Sequence, residues 1–356
     1  MSDTAQPTEP NVLVRRAGGL GRLTLNRPRA LNALDLGMIE TLGAALDAWE
    51  HDTDVQLVVL DGTGERGLCA GGDIRGLYEQ IVGGDPDGMG RFLRAEYALD
   101  ARIAEYPKPI VVLADGITMG GGIGLAGHAA VRVVTERSKL AMPETRIGFT
   151  PDAGGSWLLG RAPGRIGEYL ALTGASMDGS DAIYAGFADH FVPSAHLGDL
   201  RDALQTRADP SIPTELVQLF DETPQPSALA AQRDWIDDAF AADSVAEIAQ
   251  RLRARPEAAA SATADVLAEL SPTGLAVALD AVRRARTLPD LRAALAQEYG
   301  LALWFVATQP DLVEGIRAQV VDKDRSPRWR PATIAELTTD AAASALAYEP
   351  AIPLWS

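Results

Sequence analysis

Two carboxylates, Glu144 and Asp152, stand in MPETRIGFTPDAGG (142–155), a run made largely of apolar residues, proline and glycine. A carboxyl group lodged in an apolar pocket loses hydration, so its pKa rises and it becomes a usable acid or base near neutrality. Two such groups in one pocket push their protonation states apart. One can then orient a hydroxyl or a water while the other takes a proton or attacks. The same residue types also serve as plain helix-end charges: Glu144 follows Pro143, and Asp152 could cap a helix over about 154–161. Residue chemistry leaves both readings open here.

Two glycine clusters could supply a partner for such acids. LCAGGDIRG (68–76) places Gly71 and Gly72 before Asp73, a good N-cap, and GITMGGGIGLAG (116–127) follows a strand-like run. A glycine turn that leaves a strand and opens a helix presents free backbone N–H groups. Two of them aimed at one point make an oxyanion hole; the alternative is two tight turns that need positive φ. Gly122, Gly124 and Gly127 also spell the dinucleotide-binding pattern, but Asp115 to Gly121 separate them from the strand. No Gly-x-Ser-x-Gly elbow occurs, because Leu158 follows Gly154-Gly155-Ser156-Trp157. The lone Cys69 reads as a small buried thiol, and His51, His128, His190 and His196 have no metal-ligand spacing. Acyl chemistry, if present, falls to the carboxylates.

The elements that must carry these residues alternate in type. VLVRR and GRLTLN, separated by Ala-Gly-Gly-Leu, predict a hairpin over 12–26. Asp35 predicts an N-cap, and Ile39, Leu42, Leu46 and Trp49 mark one apolar helix face. QLVVLDG (56–62) and PIVVLADG (109–116) read as buried strands, so the class is α/β. Prolines 210, 213, 224 and 226 interrupt the pattern, and helices with Ala, Leu, Arg and Glu dominate afterwards, including one opened by Ser271-Pro272. The expected organisation is a disordered lead (1–10), a catalytic core (11–205), a linker (206–228) and a C-terminal helical region (229–356).

A net charge of −17 opposes nucleic acid and anionic membranes at long range. No apolar run approaches the length of a membrane span, and MSDTAQPTEPN carries no targeting pattern, so a soluble, cytoplasmic protein is expected. An anionic ligand would need a local basic patch.

LTLNRPRALNAL (23–34), GLCAGGDIRGL (67–77), ADGITMGGGIGLAGH (114–128) and AMPETRIGFTPDAGGSWLL (141–159) together resemble the crotonase, or enoyl-CoA hydratase/isomerase, superfamily. SPTGL (271–275) and VEGIRAQVVDKDRSPRWRPA (313–332) are similar to the tail of its 3-hydroxyisobutyryl-CoA hydrolase subgroup. The resemblance implies a spiral of ββα units with a C-terminal helical region that covers the site and mediates association, hence a possible homo-oligomer. It implies an acyl-CoA substrate whose thioester oxygen is held by the N–H groups of Gly72 and Gly121. It places catalysis on Glu144 and Asp152 and substrate contact on Glu96. Gly124 stands where ordinary hydratases carry a glutamate, which disfavours two-glutamate hydration.

The implied activity is hydrolysis of a short β-hydroxyacyl-CoA thioester, 3-hydroxyisobutyryl-CoA from valine breakdown. Glu144 would act as base or as nucleophile. No metal or redox cofactor is implied, CoA being part of the substrate. Arg27, Arg29 and Arg75 are the candidates for its phosphates. The competing expectations are an isomerase or atypical hydratase working through Glu144 alone, and a non-catalytic acyl-CoA-binding or assembly subunit.

Overall fold

The computed structural model describes residues 9–338 and 340–355, so residues 1–8 of the expected lead lie outside the described residues. The predicted hairpin is present: β1 (Val12–Ala17) and β2 (Leu20–Leu25) pair antiparallel, turning at Gly18 and Gly19 with Gly18 at positive φ. Asp35 then caps α1 (Leu36–Glu50), its side chain accepting from the Met38 N–H, and Ile39, Leu42, Leu46 and Trp49 bury the predicted face.

From there three strands of the main sheet each hand over to a short strand of a second sheet. β3 (Leu57–Gly62) leads to β4 (Gly67–Cys69), β5 (Ile110–Ala114) to β6 (Ile117–Met119), and β7 (Val131–Val134) to β8 (Lys139–Ala141). With β9 (His190–Phe191), the main sheet has the order β1-β2-β3-β5-β7-β9, and the second has β4-β6-β8. Every pairing between these strands after the hairpin is parallel, and a single antiparallel bridge joins Leu140 of β8 to Met177.

Parallel strands covered on both faces read as continuous apolar runs. In β3 and β5 the period of two divides such a run between two cores: Val58, Leu60, Ile110 and Val112 face one, Leu57, Val59, Val111 and Leu113 the other. The second core is closed by the helix Leu197–Thr206 and by Pro213–Gln218. Residues 206–228, expected to be a linker, thus contribute Leu216 and Val217 to the interior. Ser271 caps the helix Pro272–Ala285, accepting from the Gly274 N–H, and Leu275, Leu279 and Val282 enter the same core as α1. Among the described residues no helix is long and apolar enough to cross a membrane.

The second sheet is held by a very close approach. A β-carbon on Gly67 would lie 2.3 Å from the Ile117 amide nitrogen and 2.4 Å from its carbonyl oxygen, so β4 can pair with β6 only without a side chain there. Gly67→Ala is expected to cost about 1–3 kcal/mol, the range for inserting a methyl group into a packed interior. Urea unfolding measures it, and an unchanged midpoint would contradict this packing.

Candidate active site

The residues just past the ends of β4, β6 and β8 build the site. Beyond Cys69 the chain turns through Gly71 to Gly72, beyond Met119 through Gly120 to Gly121, and beyond Ala141 through Pro143 to Glu144. Gly121 opens α4 (Gly121–Gly127), and Glu144 opens the 3₁₀ turn Glu144–Ile147. Neighbouring parallel strands run about 4.8 Å apart, so the three ends arrive side by side.

The two glycine turns are shaped by conformations other residues resist: φ is +97° at Gly71 and +50° at Gly120, where ψ is −124°. A β-carbon on Gly71 would sit 3.4 Å from the Gly121 nitrogen, and one on Gly121 3.5 Å from the Gly72 nitrogen. The two amide groups are therefore close neighbours. The ladder bonds beside Gly72 run from the Leu34 N–H to the Gly71 oxygen and from the Asp73 N–H to the Leu34 oxygen. Those entering α4 run from the Ile123 and Gly124 N–H groups to the Gly120 oxygen. Neither set takes the Gly72 or Gly121 N–H: Gly71 and Gly120 make the turns, and among the described residues no backbone hydrogen bond uses the neighbouring Gly72 and Gly121 N–H groups.

Glu96 on α3 (Pro86–Ala104), Glu144 and Asp152 all line one cavity of about 670 Å³ together with both glycines. All three are buried, at 3%, 7% and 9% exposure, so none is a solvated surface charge. Asp152 does not cap a helix with its side chain. Its Oδ2 accepts a hydrogen bond from the Tyr97 hydroxyl at 3.0 Å, while its main-chain oxygen accepts from the Gly155 N–H. Among the described residues Glu96 Oε1 and Glu144 Oε2 have no hydrogen-bond partner. Burial pushes the Glu144 carboxyl well above the usual range, and the charge of Asp152 adds to the shift. Glu96 is raised by the same two causes in the same order. Asp152 is pushed up to about 6 by burial, against the pull of the Tyr97 hydrogen bond.

Two further acids, which the sequence reading missed, belong to this cluster. Asp100 lies one helical turn beyond Glu96, fully buried, with neither oxygen partnered. A β-carbon on Gly124 would lie 2.6 and 2.7 Å from those oxygens, so Asp100 fills from behind the space a side chain at 124 would need. The i,i+4 spacing of two acids in RFLRAEYALDARIA was the available signal. Glu298, on the helix Leu291–Thr308, is fully buried and accepts from the Gly154 and Ser156 N–H groups and the Ser156 hydroxyl. Burial pushes it up to about 8, with those donors pulling the other way. No local pattern marks it.

The competing motifs resolve into packing. Gly122 meets the Cys69 carbonyl and Gly127 the Leu158 side chain, so with Gly124 the three are notches in α4 rather than a phosphate cradle. Burial pushes the Cys69 thiol up to about 12, and it donates to the Asn32 carbonyl. Among the described residues no group of three or more His, Cys, Asp or Glu is arranged to hold a metal ion.

Arg27, Arg29 and Arg75 reach one rim of the cavity. The Arg27 guanidinium, however, is occupied by Asp35, Asp73 and the Ala33 carbonyl, which makes it a brace between loops rather than a free cation. Arg75 donates to the Val320 carbonyl at 2.6 Å and so ties α2 (Ile74–Val82) to the C-terminal segment. That segment contributes Leu312, Ile316, Val320 and Lys323 to the lining. Arg66 and Lys323 join Arg29 at the rim, two cations the sequence reading did not select.

Comparisons with known proteins agree with this architecture. The model of a family described as enoyl-CoA hydratase/isomerase matches residues 20–346. The chain is 39% identical over 339 residues to the mitochondrial 3-hydroxyisobutyryl-CoA hydrolase of Gallus gallus, covering 93% of this chain and 87% of that protein. A solved structure of a carnitinyl-CoA dehydratase from Mycobacterium thermoresistibile aligns with a TM-score of 0.91 at 46% identity, over 97% of this chain and 98% of that one. An enoyl-CoA hydratase from Rhodobacter sphaeroides aligns at 0.89 and 44% identity, over 95% and 98%.

The Asp100 carboxyl sets a pH dependence of stability. Burial, then the charge of Glu96, raises its pKa in the folded state, so the folded chain holds this proton where the unfolded chain has released it. Its contribution is therefore complete below the unfolded carboxyl pKa of about 3.9 and is lost as pH rises through the higher folded value. Asp100→Asn is expected to raise the melting temperature more at pH 8 than at pH 5. An equal or reversed change in thermal melts at the two pH values would contradict the assignment.

Proposed function

Because the chain belongs to the enoyl-CoA hydratase/isomerase family, we propose that it hydrolyses 3-hydroxyisobutyryl-CoA to 3-hydroxyisobutyrate and CoA. The Gallus gallus relative is named for that reaction, whereas two structures of somewhat higher identity are named for hydration or dehydration. The disposition of acids supports the hydrolase. Position 124 is glycine with Asp100 packed against it outside the cavity lining, so α4 sends no carboxylate into the pocket, while Asp152 lines it together with Glu144, close enough for its charge to raise the Glu144 carboxyl.

In this reading the thioester oxygen accepts from the Gly72 and Gly121 N–H groups. Donors of this kind act on the charge that develops on the oxygen at the transition state. Glu144 works from its ionised form, either taking a proton from the attacking water or itself attacking the carbonyl carbon. On either route the C–S bond breaks and CoA leaves as the thiol with a proton that comes in net from water; where Glu144 has attacked, water then hydrolyses the acyl–Glu144 anhydride and frees the carboxylate, so water supplies the oxygen gained overall. Asp152, steadied by Tyr97, orients the water or hydroxyl. Glu96, whose carboxyl burial pushes toward its protonated form, donates to the β-hydroxyl of the acyl group. The CoA phosphates lie along the rim of Arg29, Arg66, Arg75 and Lys323, where the strongly negative chain offers local positive charge. No cofactor beyond the CoA of the substrate is required.

The higher-identity names motivate a second reading, addition of water to an enoyl-CoA with Glu144 as sole base. One experiment separates the two: purified protein is offered 3-hydroxyisobutyryl-CoA and crotonyl-CoA, and thiol release and enoyl absorbance are followed in parallel. The expected result is thiol release from the first, reduced about 10²- to 10⁴-fold by Glu144→Gln, the span for loss of a positioned acid or base. Loss of enoyl absorbance with no thiol release would favour hydration. A second variant tests the donors. In Gly121→Ala the new methyl would stand 2.1 Å from Glu96 Oε1, between the two N–H groups, and kcat is expected to fall at least 10²-fold, about the loss of one oxyanion donor. Activity within threefold of wild type would remove Gly121 from the machinery.

A further inference from the structure

Asp152 sits on an irregular turn. Ala153 has φ of +52° and Gly154 +76°, so two consecutive residues occupy the left-handed region, and Ala153 does so with a side chain. Such a backbone persists only when its surroundings fix it. Here the fixing contacts come from three sides. The His128 ring Nε2 meets the Ala153 carbonyl at 3.1 Å, and burial pushes that imidazole down to about 4, which keeps it neutral. Tyr97 holds the Asp152 carboxyl. The third contact is the most extensive: Glu298 receives the Gly154 N–H at 2.7 Å on one oxygen, and the Ser156 N–H at 2.9 Å and Ser156 hydroxyl at 2.5 Å on the other.

The neighbouring residue holds the opposite side. Tyr299 accepts from Arg94 at 2.7 Å and packs edge-on against Tyr97, with ring centroids 6.5 Å apart at 79°. Consecutive residues of one C-terminal helix therefore steady both the turn that carries Asp152 and the tyrosine that binds its carboxyl. Neither Glu298 nor Tyr299 lines the cavity, so neither can touch a substrate bound there.

We propose that Glu298 is a positioning residue of this site: by gripping the Gly154 and Ser156 amides it sets the place of the Asp152 carboxyl, and through it the rate of the reaction. The inference rests on the reading of Asp152 as a functional group. A carboxyl group is suited to the task because each of its oxygens keeps acceptor capacity even when the group holds a proton, whereas glutamine would turn an NH₂ group toward one of the two amide donors. Displacement of a reacting group by about 1 Å, caused from outside the site, can cost about 10²-fold in rate.

The test is a double-mutant cycle in the full-length protein, with thiol release from 3-hydroxyisobutyryl-CoA and thermal melts as readouts. E298Q is expected to lower kcat about 10²-fold with KM within about threefold of wild type, the signature of a lost transition-state contact rather than lost binding. Added to Asp152→Asn, E298Q is expected to cost less than about threefold more, because the group it positions is already gone. Equal factors in the two backgrounds, or unchanged kcat in a folded E298Q, would overturn the proposal. If E298Q does not fold, S156A decides. It removes one of the three bonds and is expected to lower kcat several-fold, and a value within twofold of wild type would overturn the proposal. An Asp152→Asn variant as active as wild type would instead overturn the role of Asp152, and this inference with it.

Discussion

Five carboxyl groups, Glu96, Asp100, Glu144, Asp152 and Glu298, are buried around one cavity, and their hydrogen bonds come from Tyr97, Ser156 and backbone N–H groups rather than from arginine or lysine. Removing an ionised carboxylate from water without pairing it is costly, so the cluster can exist only with some of its members holding protons. That requirement shapes the surroundings. Glycines stand where side chains would collide with the acids, at 121 against Glu96 and at 124 against Asp100. Backbone N–H groups serve as donors that bring no proton of their own to titrate. Among the described residues no arginine or lysine pairs with any of the five; the buried ion pairs lie elsewhere, at Asp61 and Glu168, and Arg94 is taken by the Tyr299 hydroxyl, so no paired cation drains the raised pKa values that the proposed chemistry needs.

The fold meets that requirement by repetition. Each passage from main sheet to second sheet ends at the same level, and successive passages deliver a free N–H, another free N–H and a carboxylate. The C-terminal helices close the arrangement from outside, with Glu298 and Tyr299 behind Asp152 and the segment from Leu312 to Lys323 lining the cavity with four side chains. Because these helices share a core with α1 and β3, the acids around the cavity are held by the main packing of the molecule and not by a separately hinged cover.

What the sequence made legible was local. The hairpin, the Asp35, Asp73 and Ser271 caps, the buried strands and the glycine turns follow from spacing within about a dozen residues, and each is present where expected. Glu96, Glu144, Asp152, Gly72 and Gly121 were selected by resemblance, and the structure gathers them in one cavity. Residues defined by long-range partners escaped. Glu298 acts on a turn about 140 positions earlier, and Lys323 reaches the rim from the far end of the chain. Arg27 shows the converse: its basic loop suggested phosphate binding, but two aspartates already hold its guanidinium, a choice only tertiary structure makes. Asp100 lay within reach of pattern reasoning, since it repeats Glu96 at one helical turn, yet nothing local announces that the helix face is buried without a cation.

The pH dependence of kcat/KM for thioester hydrolysis tests this account most directly, because it reports the ionisation of the free protein. If Glu144 must lose its proton from a buried position facing Asp152, the rate should rise with pH along a limb lying above the ordinary glutamate pKa of about 4.3. Removing the Asp152 charge should move that limb to lower pH, so the residual activity of Asp152→Asn should rise earlier. A limb at the ordinary glutamate value, unmoved by Asp152→Asn, would contradict the shared carboxyl cluster as the basis of the chemistry.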